Sequence, residues 1–240
     1  MKRHIKKLLR AFGYDFVRFY PGSSVECFSI ELMKKHKIDL VLDVGANEGQ
    51  YGVFLRRNDY SNKIISFEPL SIVHIELLKV SRGFHAWQIA ERMAIGDQNG
   101  TVKINISENL VSSSILPILS KHTDAELASQ YRQTEEIALR TLDSLTDEYR
   151  ITDSHSILLK IDTQGYEDKV LIGAAQLLEK TTMIQLELSL TPLYQGQKLL
   201  VDVIRFLEDK GFQLVGLFPG FTDNKNIQML QVEGVFLRSR

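Results

Sequence analysis

Leu40-Val41-Leu42-Asp43-Val44-Gly45-Ala46-Asn47-Glu48-Gly49-Gln50 is an apolar run that ends in a carboxylate and then in a turn punctuated by Gly45 and Gly49. Four aliphatic residues around Asp43 suit a buried strand, and the glycines after them mark a strand-to-helix turn. Such a turn lets a ligand approach the backbone, and the helix start beyond it is expected to offer unpaired N–H donors. A dinucleotide fingerprint requires G-x-G-x-x-G, but Asn47 and Gln50 stand where its second and third glycines would be. The D-x-G-x-N-x-G spacing suits S-adenosylmethionine instead, whose zwitterionic end needs a carboxylate as well as amides. An ordinary turn with glycines for packing is the alternative.

Downstream the pattern alternates. Strands are expected at 39–44, 63–68, 87–94, 157–162, 183–188 and 212–218, with helices at 49–57, 71–82, 165–180 and 198–210. Strands alternating with helices of this length imply βαβ units and a parallel sheet. Residues 101–107 follow a Gly-Asp-Gln-Asn-Gly turn and suggest a local hairpin, and 226–238 pairs most simply with 212–218 as an antiparallel hairpin. The segment 107–136 looks like an insertion, with a polar helix over 123–133 and strand character returning at 137–140. The division expected is an N-terminal helical appendage, 1–38, and one domain, 39–240.

Composition limits the partners. The chain has 240 residues and 44% hydrophobic content, enough for a full core, and a net charge of −1 argues against a surface that tracks nucleic acid. Residues 1–18 nevertheless carry +5 and the remainder −6. Residues 4–19 place Ile5, Leu8, Leu9, Phe12, Phe16 and Phe19 at helical spacing between basic residues. This amphipathic helix either packs on the domain or lies on a membrane surface. Cys27 is the single cysteine, which removes any intramolecular disulfide and favours a reducing compartment. With no membrane-length apolar run or secretory pattern, a cytoplasmic location is expected, with peripheral contact at the inner membrane face through residues 1–19 as an extension.

In an open α/β sheet the ligand lies beyond the carboxyl ends of the strands, and the exits here are acidic: Asp43, Glu68, Asp162 and Glu187. Glu68 falls 25 residues after Asp43, where a carboxylate can accept from both hydroxyls of a ribose.

Together with the opening stretch, Ser66-Phe67-Glu68-Pro69, Ala94-Ile95-Gly96-Asp97, Thr141-Leu142-Asp143 and Leu159-Lys160-Ile161-Asp162-Thr163-Gln164-Gly165-Tyr166-Glu167 resemble the FkbM-type methyltransferases over about 39–238. The resemblance implies a Rossmann-like class I sheet of seven strands, mostly parallel with the last antiparallel and with helices on both faces. It also implies S-adenosylmethionine as donor and a hydroxyl acceptor, such as a sugar of a surface polysaccharide or lipid-linked glycan, or a polyketide-type natural product. The cofactor set it points to is Asp43, Gly45, Ala46, Asn47, Gly49, Glu68, Pro69, Ala94, Ile95 and Asp162. Relatives often carry Glu at position 164 and Asp at 233. Gln164 is neutral here, so no role requiring a carboxylate is assigned to it.

Methyl transfer is an in-line displacement, so alignment dominates, but a hydroxyl must still lose its proton. Asp162 is the first choice for that base; it could equally bind the donor's ammonium group or orient the acceptor. Lys160 alternates with Asp162 on one face, as Gln185 does with Glu187 on the neighbouring strand, and a Lys160–Glu187 pair is expected. Lys160 then either compensates charge or acts on the acceptor hydroxyl. Asp162 and Glu187 could share a divalent metal, but no third ligand is evident. The six histidines show no zinc spacing, and His122 alone is considered as an alternative base. Asn109, Ser113 and Ser114, in a serine-rich loop, and Tyr194, with a stacking face, are the candidate acceptor contacts. A non-catalytic nucleotide-binding or scaffold protein is the rival outside enzymology.

Overall fold

The computed structural model describes residues 20–239 together with Lys7, Leu9 and Phe12. The amphipathic reading of 4–19 therefore falls, apart from those three residues, outside the described part.

Along the chain, α1 (Val25–Lys35) leads into β1 (Leu40–Val44), α2 (Gln50–Arg57), β2 (Lys63–Phe67), α3 (Ser71–Ser81) and β3 (Trp87–Ile89). A side excursion follows, with β4 (Ala94–Ile95), β5 (Gly100–Ser107), α4 (Ser120–Ala125) and β6 (Tyr131–Arg140). The chain returns through β7 (Ile157–Ile161), α5 (Glu167–Ile172), α6 (Ala175–Lys180), β8 (Thr181–Ser189), α7 (Leu200–Asp209) and β9 (Phe212–Pro219). It ends with the short β10 (Thr222–Asp223) and β11 (Gln228–Met229), then β12 (Gln231–Arg238).

The main sheet has seven strands in the order β3-β2-β1-β7-β8-β12-β9. β1 runs parallel to both β2 and β7, and β7 to β8, while β12, the last in the chain, is antiparallel to β8 and β9. This is the mostly parallel sheet with an antiparallel last strand that the sequence pointed to. β1 and β7 are buried along their whole length, which is why they read as near-continuous apolar runs. On one face Leu40, Leu42, Leu159 and Ile161 pack with Val170, Leu177 and Leu207 of the later helices. On the other, Val41 and Leu158 pack with Ile30, Met33, Leu55 and Leu77.

Helix α1, assigned at first to the appendage, is part of that second cover. Ser24 caps it by accepting from the Cys27 N–H, Phe28 lies 5.3 Å from the Phe218 ring, and Ser29 Oγ donates to Gln185. Trp87, on the edge strand, is the other anchor of this face. Its indole N–H donates to Ser66 Oγ, and its ring fills the space beside Gly52, where a Cβ would come within 2.1 Å of it.

The side excursion differs most from expectation. β4, β6 and β5 form a separate three-stranded sheet, so the strand expected over 87–94 is two pieces serving two sheets. The polar helix expected over 123–133 is replaced by the shorter α4, and Tyr131 already pairs in β6 opposite Ser107. The first half of β6 is largely exposed, so it lacks the apolar alternation that marks a strand. Glu135 instead docks it onto the start of α3 by accepting from Ser71 Oγ (2.6 Å) and Arg92 (2.8 Å). The helix expected over 165–180 is two helices separated at Gly173–Ala174. No helix among the described residues is long and apolar enough to cross a membrane.

Adding one methyl at Gly52 overpacks the Trp87 seat, so Gly52→Ala is expected to lower unfolding stability by about 1–3 kcal/mol in urea titrations. Trp87→Phe in the same chain should recover part of that loss, whereas strictly additive losses would show that the contact is not the cause.

Candidate active site

β2 lies on one side of β1 and β7 on the other, so the strand order reverses between β1 and β7 and opens a crevice at their carboxyl ends. A cleft of about 810 Å³, its open solvent-filled mouth included, occupies this place. Gly45, Asn47, Glu68 and Pro69 line it from the β1 and β2 exits, Ala94 and Ile95 from the second sheet, and Asp162 from the β7 exit. Asp43 and Ala46 are buried behind it. The floor is an apolar patch that the sequence reading missed: Leu70 and Val73 from the start of α3, Met93, and Ile104 from β5. Its sequence signal is weak because the patch is gathered from three separate segments.

Every backbone amide of the glycine turn already has a protein acceptor. Gly45 and Ala46 donate to the Phe67 carbonyl (3.0 Å each), Asn47 to Glu68 Oε2 (2.9 Å), Glu48 to its neighbour's Asn47 Oδ1 (2.8 Å) and Gly49 to the Ala46 carbonyl (2.9 Å). The turn from Gly45 to Gly49 therefore offers no free amide of its own. Gly45, at φ +80, is required for a different reason: a Cβ there would stand 1.8 Å from the Asp162 carbonyl oxygen, where the two strand exits meet. The acidic groups lining the cleft are Glu68 and Asp162, and no Lys, Arg or His joins them among the described residues. Such a cleft repels a pyrophosphate and receives cations and hydroxyl donors.

Glu68 is 5% exposed and accepts the N–H groups of Asn47 and Leu70. Burial outweighs those two bonds and pushes its carboxyl up to about 7. Asp43 accepts from Ser66 Oγ at 3.0 Å; burial raises its pKa, and the Lys160 charge opposes the rise.

Lys160 donates to Asp162 Oδ2 at 3.0 Å, not to Glu187. The reason is register: across the β7–β8 pair Lys160 faces Gln185, one pleat short of Glu187. Burial works against both charges of the Lys160–Asp162 pair. For Lys160 it is outweighed by Asp162, Asp43 and Glu233, which raise its pKa; for Asp162 it is outweighed by Lys160 and the hydrogen bonds from Lys160 and Gln164, which hold it below the ordinary carboxylate range. Glu187 goes the other way: burial, then Asp162, Glu233 and Glu167, raise it well above its usual value. Gln164, set aside in the sequence reading, sits between the two carboxylates, its amide donating to Asp162 Oδ1 (2.8 Å) and Glu187 Oε2 (3.3 Å).

The polar side chains of the 107–136 segment are mostly used internally. Asn109 accepts from Ser107 Oγ and donates to Ser112 Oγ, and Ser114 Oγ is buried and donates to the Gln164 carbonyl at 2.7 Å. Ser113 lines the cleft beside Leu110, Val111 and Ile115. Tyr194 is fully buried, so its ring is not an exposed stacking face; its hydroxyl donates to Gln164 Oε1 at 2.9 Å. His122 is buried against Tyr194 and Phe221, and burial lowers its pKa to about 4, which makes it a neutral packing residue. Among the described residues no group of three or more His, Cys, Asp or Glu is arranged to hold a metal ion.

A mostly parallel sheet with an antiparallel last strand and a carboxylate-lined cleft at its switch point defines a Rossmann-like methyltransferase that uses S-adenosylmethionine. Residues 43–214 match the methyltransferase FkbM domain, and the chain belongs to that family. Among solved structures, an rRNA methylase from Streptococcus thermophilus is similar with a TM-score of 0.50 at 9% identity, over 94% of this chain and 100% of that one. A TehB-like SAM-dependent methyltransferase from Corynebacterium glutamicum gives 0.44 at 13% identity, over 99% and 96%. At 9% identity the likeness to the rRNA methylase concerns the fold alone. A search among curated proteins returns no match.

Glu68 ionises near the ordinary glutamate value of 4.5 in the unfolded chain and at about 7 when folded, so its stabilising contribution is complete below the first value and lost as pH rises through the second. Between pH 4.5 and 7 the ligand-free wild type is expected to lose up to ~3 kcal/mol relative to Glu68→Gln. Parallel stability curves for the two proteins across this range would rule out the raised ionisation.

Proposed function

We propose that the protein transfers a methyl group from S-adenosylmethionine to a sugar hydroxyl during the biosynthesis of a glycan or polysaccharide. The donor supplies an electrophilic methyl on a sulfonium. Glu68 accepts the ribose hydroxyls, and Pro69, Leu70, Ala94 and Ile95 wall the adenosine. Gly45, Ala46, Asn47 and Gly49 set the turn beneath the donor, while Asp43 and Asp162 supply the negative field its cationic end requires.

The observation that carries the reading is Asp162: its side chain is 34% exposed at the cleft and held from one side by Lys160 and from the other by Gln164. A hydroxyl is a very weak acid until its oxygen bonds the methyl carbon, and a strong one afterwards. A carboxylate held below its ordinary pKa range remains ionised, orients the hydroxyl by accepting its hydrogen bond, and takes the proton as the C–O bond forms. Lys160 keeps Asp162 ionised. Glu187, whose ionisation burial opposes, shares Gln164 with Asp162.

An acceptor with an apolar face and several hydroxyls suits the wall of Leu110, Val111 and Ile115 interrupted by Ser113 and Gln164. The +5 charge of residues 1–18 supports cytoplasmic action at an anionic inner membrane face, where lipid-linked glycans would be presented.

Two measurements test the proposal. Glu68→Ala should weaken S-adenosylhomocysteine binding by ~10–100-fold in calorimetry, the loss of hydrogen bonds to a charged acceptor. Asp162→Asn should keep the folded state and lower methyl transfer from labelled donor to carbohydrate acceptors by about 100-fold or more. Full turnover by Asp162→Asn removes it as base; transfer to polyketide-type acceptors and to no carbohydrate overturns the sugar assignment.

A further inference from the structure

To serve as base, Asp162 must keep its carboxylate in one orientation and one ionisation state beside a second carboxylate, Glu187. Gln164 occupies that position. Its backbone is left-handed, φ +53, a conformation that side chains other than Gly, Asn and Asp rarely adopt, and the next residue, Gly165, is at φ +94. A Cβ on Gly165 would come within 2.8 Å of the Tyr194 ring, so this turn lies flat against a fully buried tyrosine.

The hydrogen bonds fix which way the amide points. Tyr194 O–H is 2.9 Å from Gln164 Oε1 and 3.2 Å from the Ser112 carbonyl, both acceptors, so the hydroxyl donates. With Oε1 committed to that donor, the amide NH₂ faces the carboxylates, reaching Asp162 Oδ1 at 2.8 Å and Glu187 Oε2 at 3.3 Å. Ser114 Oγ clamps the Gln164 carbonyl at 2.7 Å, which joins the acceptor-side loop to the same residue.

Resting on the assignment of Asp162 above, we propose that Gln164 is a positioning residue: aimed by Tyr194, its amide pins Asp162 opposite Lys160 and separates it from Glu187, so that Asp162 remains an ionised carboxylate open to the acceptor. The charged and titratable groups around Asp162 are Lys160 on its own strand, Asp43 on β1, Glu68 at the β2 exit, Glu187 and Glu233 on β8 and β12, Glu167 on α5, and the Tyr194 hydroxyl beyond Gln164. Lys160 is the one cation in that set. A neutral donor at 164 stabilises the anion, whereas a carboxylate there would remove a hydrogen bond and add a further negative charge within contact distance.

Gln164→Glu is nearly isosteric and makes that exchange. The expected result is an upward move of about one pH unit or more in the acid limb of kcat/KM for methyl transfer, with a fall in kcat of about tenfold at neutral pH. The Asp162 carboxyl, identified in ¹³C titrations by its loss in Asp162→Asn, should move upward in the same variant. Tyr194→Phe, which keeps the buried ring and removes the aiming hydroxyl, should move both in the same direction by less, and serves where Gln164→Glu does not fold. An Asp162 titration identical in wild type and a folded Gln164→Glu, or in Tyr194→Phe where Gln164→Glu does not fold, overturns the proposal. A shifted titration alongside full turnover in Asp162→Asn sinks Asp162 as base and leaves the control of its charge by Gln164 standing.

Discussion

The site depends on one close approach, that of the β1 exit to the β7 exit. Asp162 N–H donates to the Val44 carbonyl at 2.9 Å, and the space on the other side of that contact is too small for any side chain on residue 45. With Gly45 pressed against the Asp162 backbone, the turn that follows bends toward β2, and its first two amides close on the Phe67 carbonyl. The third amide then falls on the Glu68 carboxylate. One steric constraint thus sets Glu68 and Asp162 on opposite sides of a cleft, each held by the backbone that the constraint has bent.

Charge balance follows from the same crowding. Lys160 is the one buried lysine or arginine among the described residues, and Asp43, Asp162 and Glu233 all act on it. A single cation in a low-dielectric region cannot stabilise every carboxylate nearby, and the geometry decides which one it serves. Asp162 has the direct contact and stays ionised; Glu68, Glu167 and Glu187 lack it, and burial drives their pKa values up. Glu167 instead spends its carboxylate oxygen on the Thr163 and Gly165 N–H groups, at 3.0 and 3.1 Å, which stiffens the turn carrying Gln164. The protein limits that like-charge crowding by opposing the ionisation of the carboxylates that Lys160 does not serve.

What could be read from sequence follows the physics of each element. β1 and β7 are covered on both faces, so their runs of Leu, Val and Ile declare themselves without a partner in view. β6 is exposed for half its length and held by Glu135, so its first residues, Tyr131, Arg132 and Gln133, read as the end of a polar helix instead. The glycines of the turn were legible as necessary but not in their reason: Gly45 answers to the Asp162 backbone and Gly49 to Leu77 and Trp87, contacts made by segments far away in the chain. Two acidic residues from the recognised motifs also prove to hold the fold. Asp143 caps α6 by accepting the Gln176 and Leu177 N–H groups, and Asp97 pairs with Lys169. A conspicuous carboxylate in a motif reveals that a donor faces it, and the donor can be the protein itself.

Gln164 shows the opposite error. Judged by its own chemistry it neither accepts nor releases a proton at neutral pH, and its neutrality counted against it. Its effect lies in what it donates and to which groups, and that is set by Tyr194, thirty positions further along the chain, and by a register that leaves Lys160 opposite Gln185. An amide placed between two carboxylates separates their protonation states without taking on charge itself. The polarity of this end of the cleft is therefore written partly in a residue whose side chain cannot titrate, and it becomes visible when hydrogen-bond direction is followed from the buried hydroxyl outward.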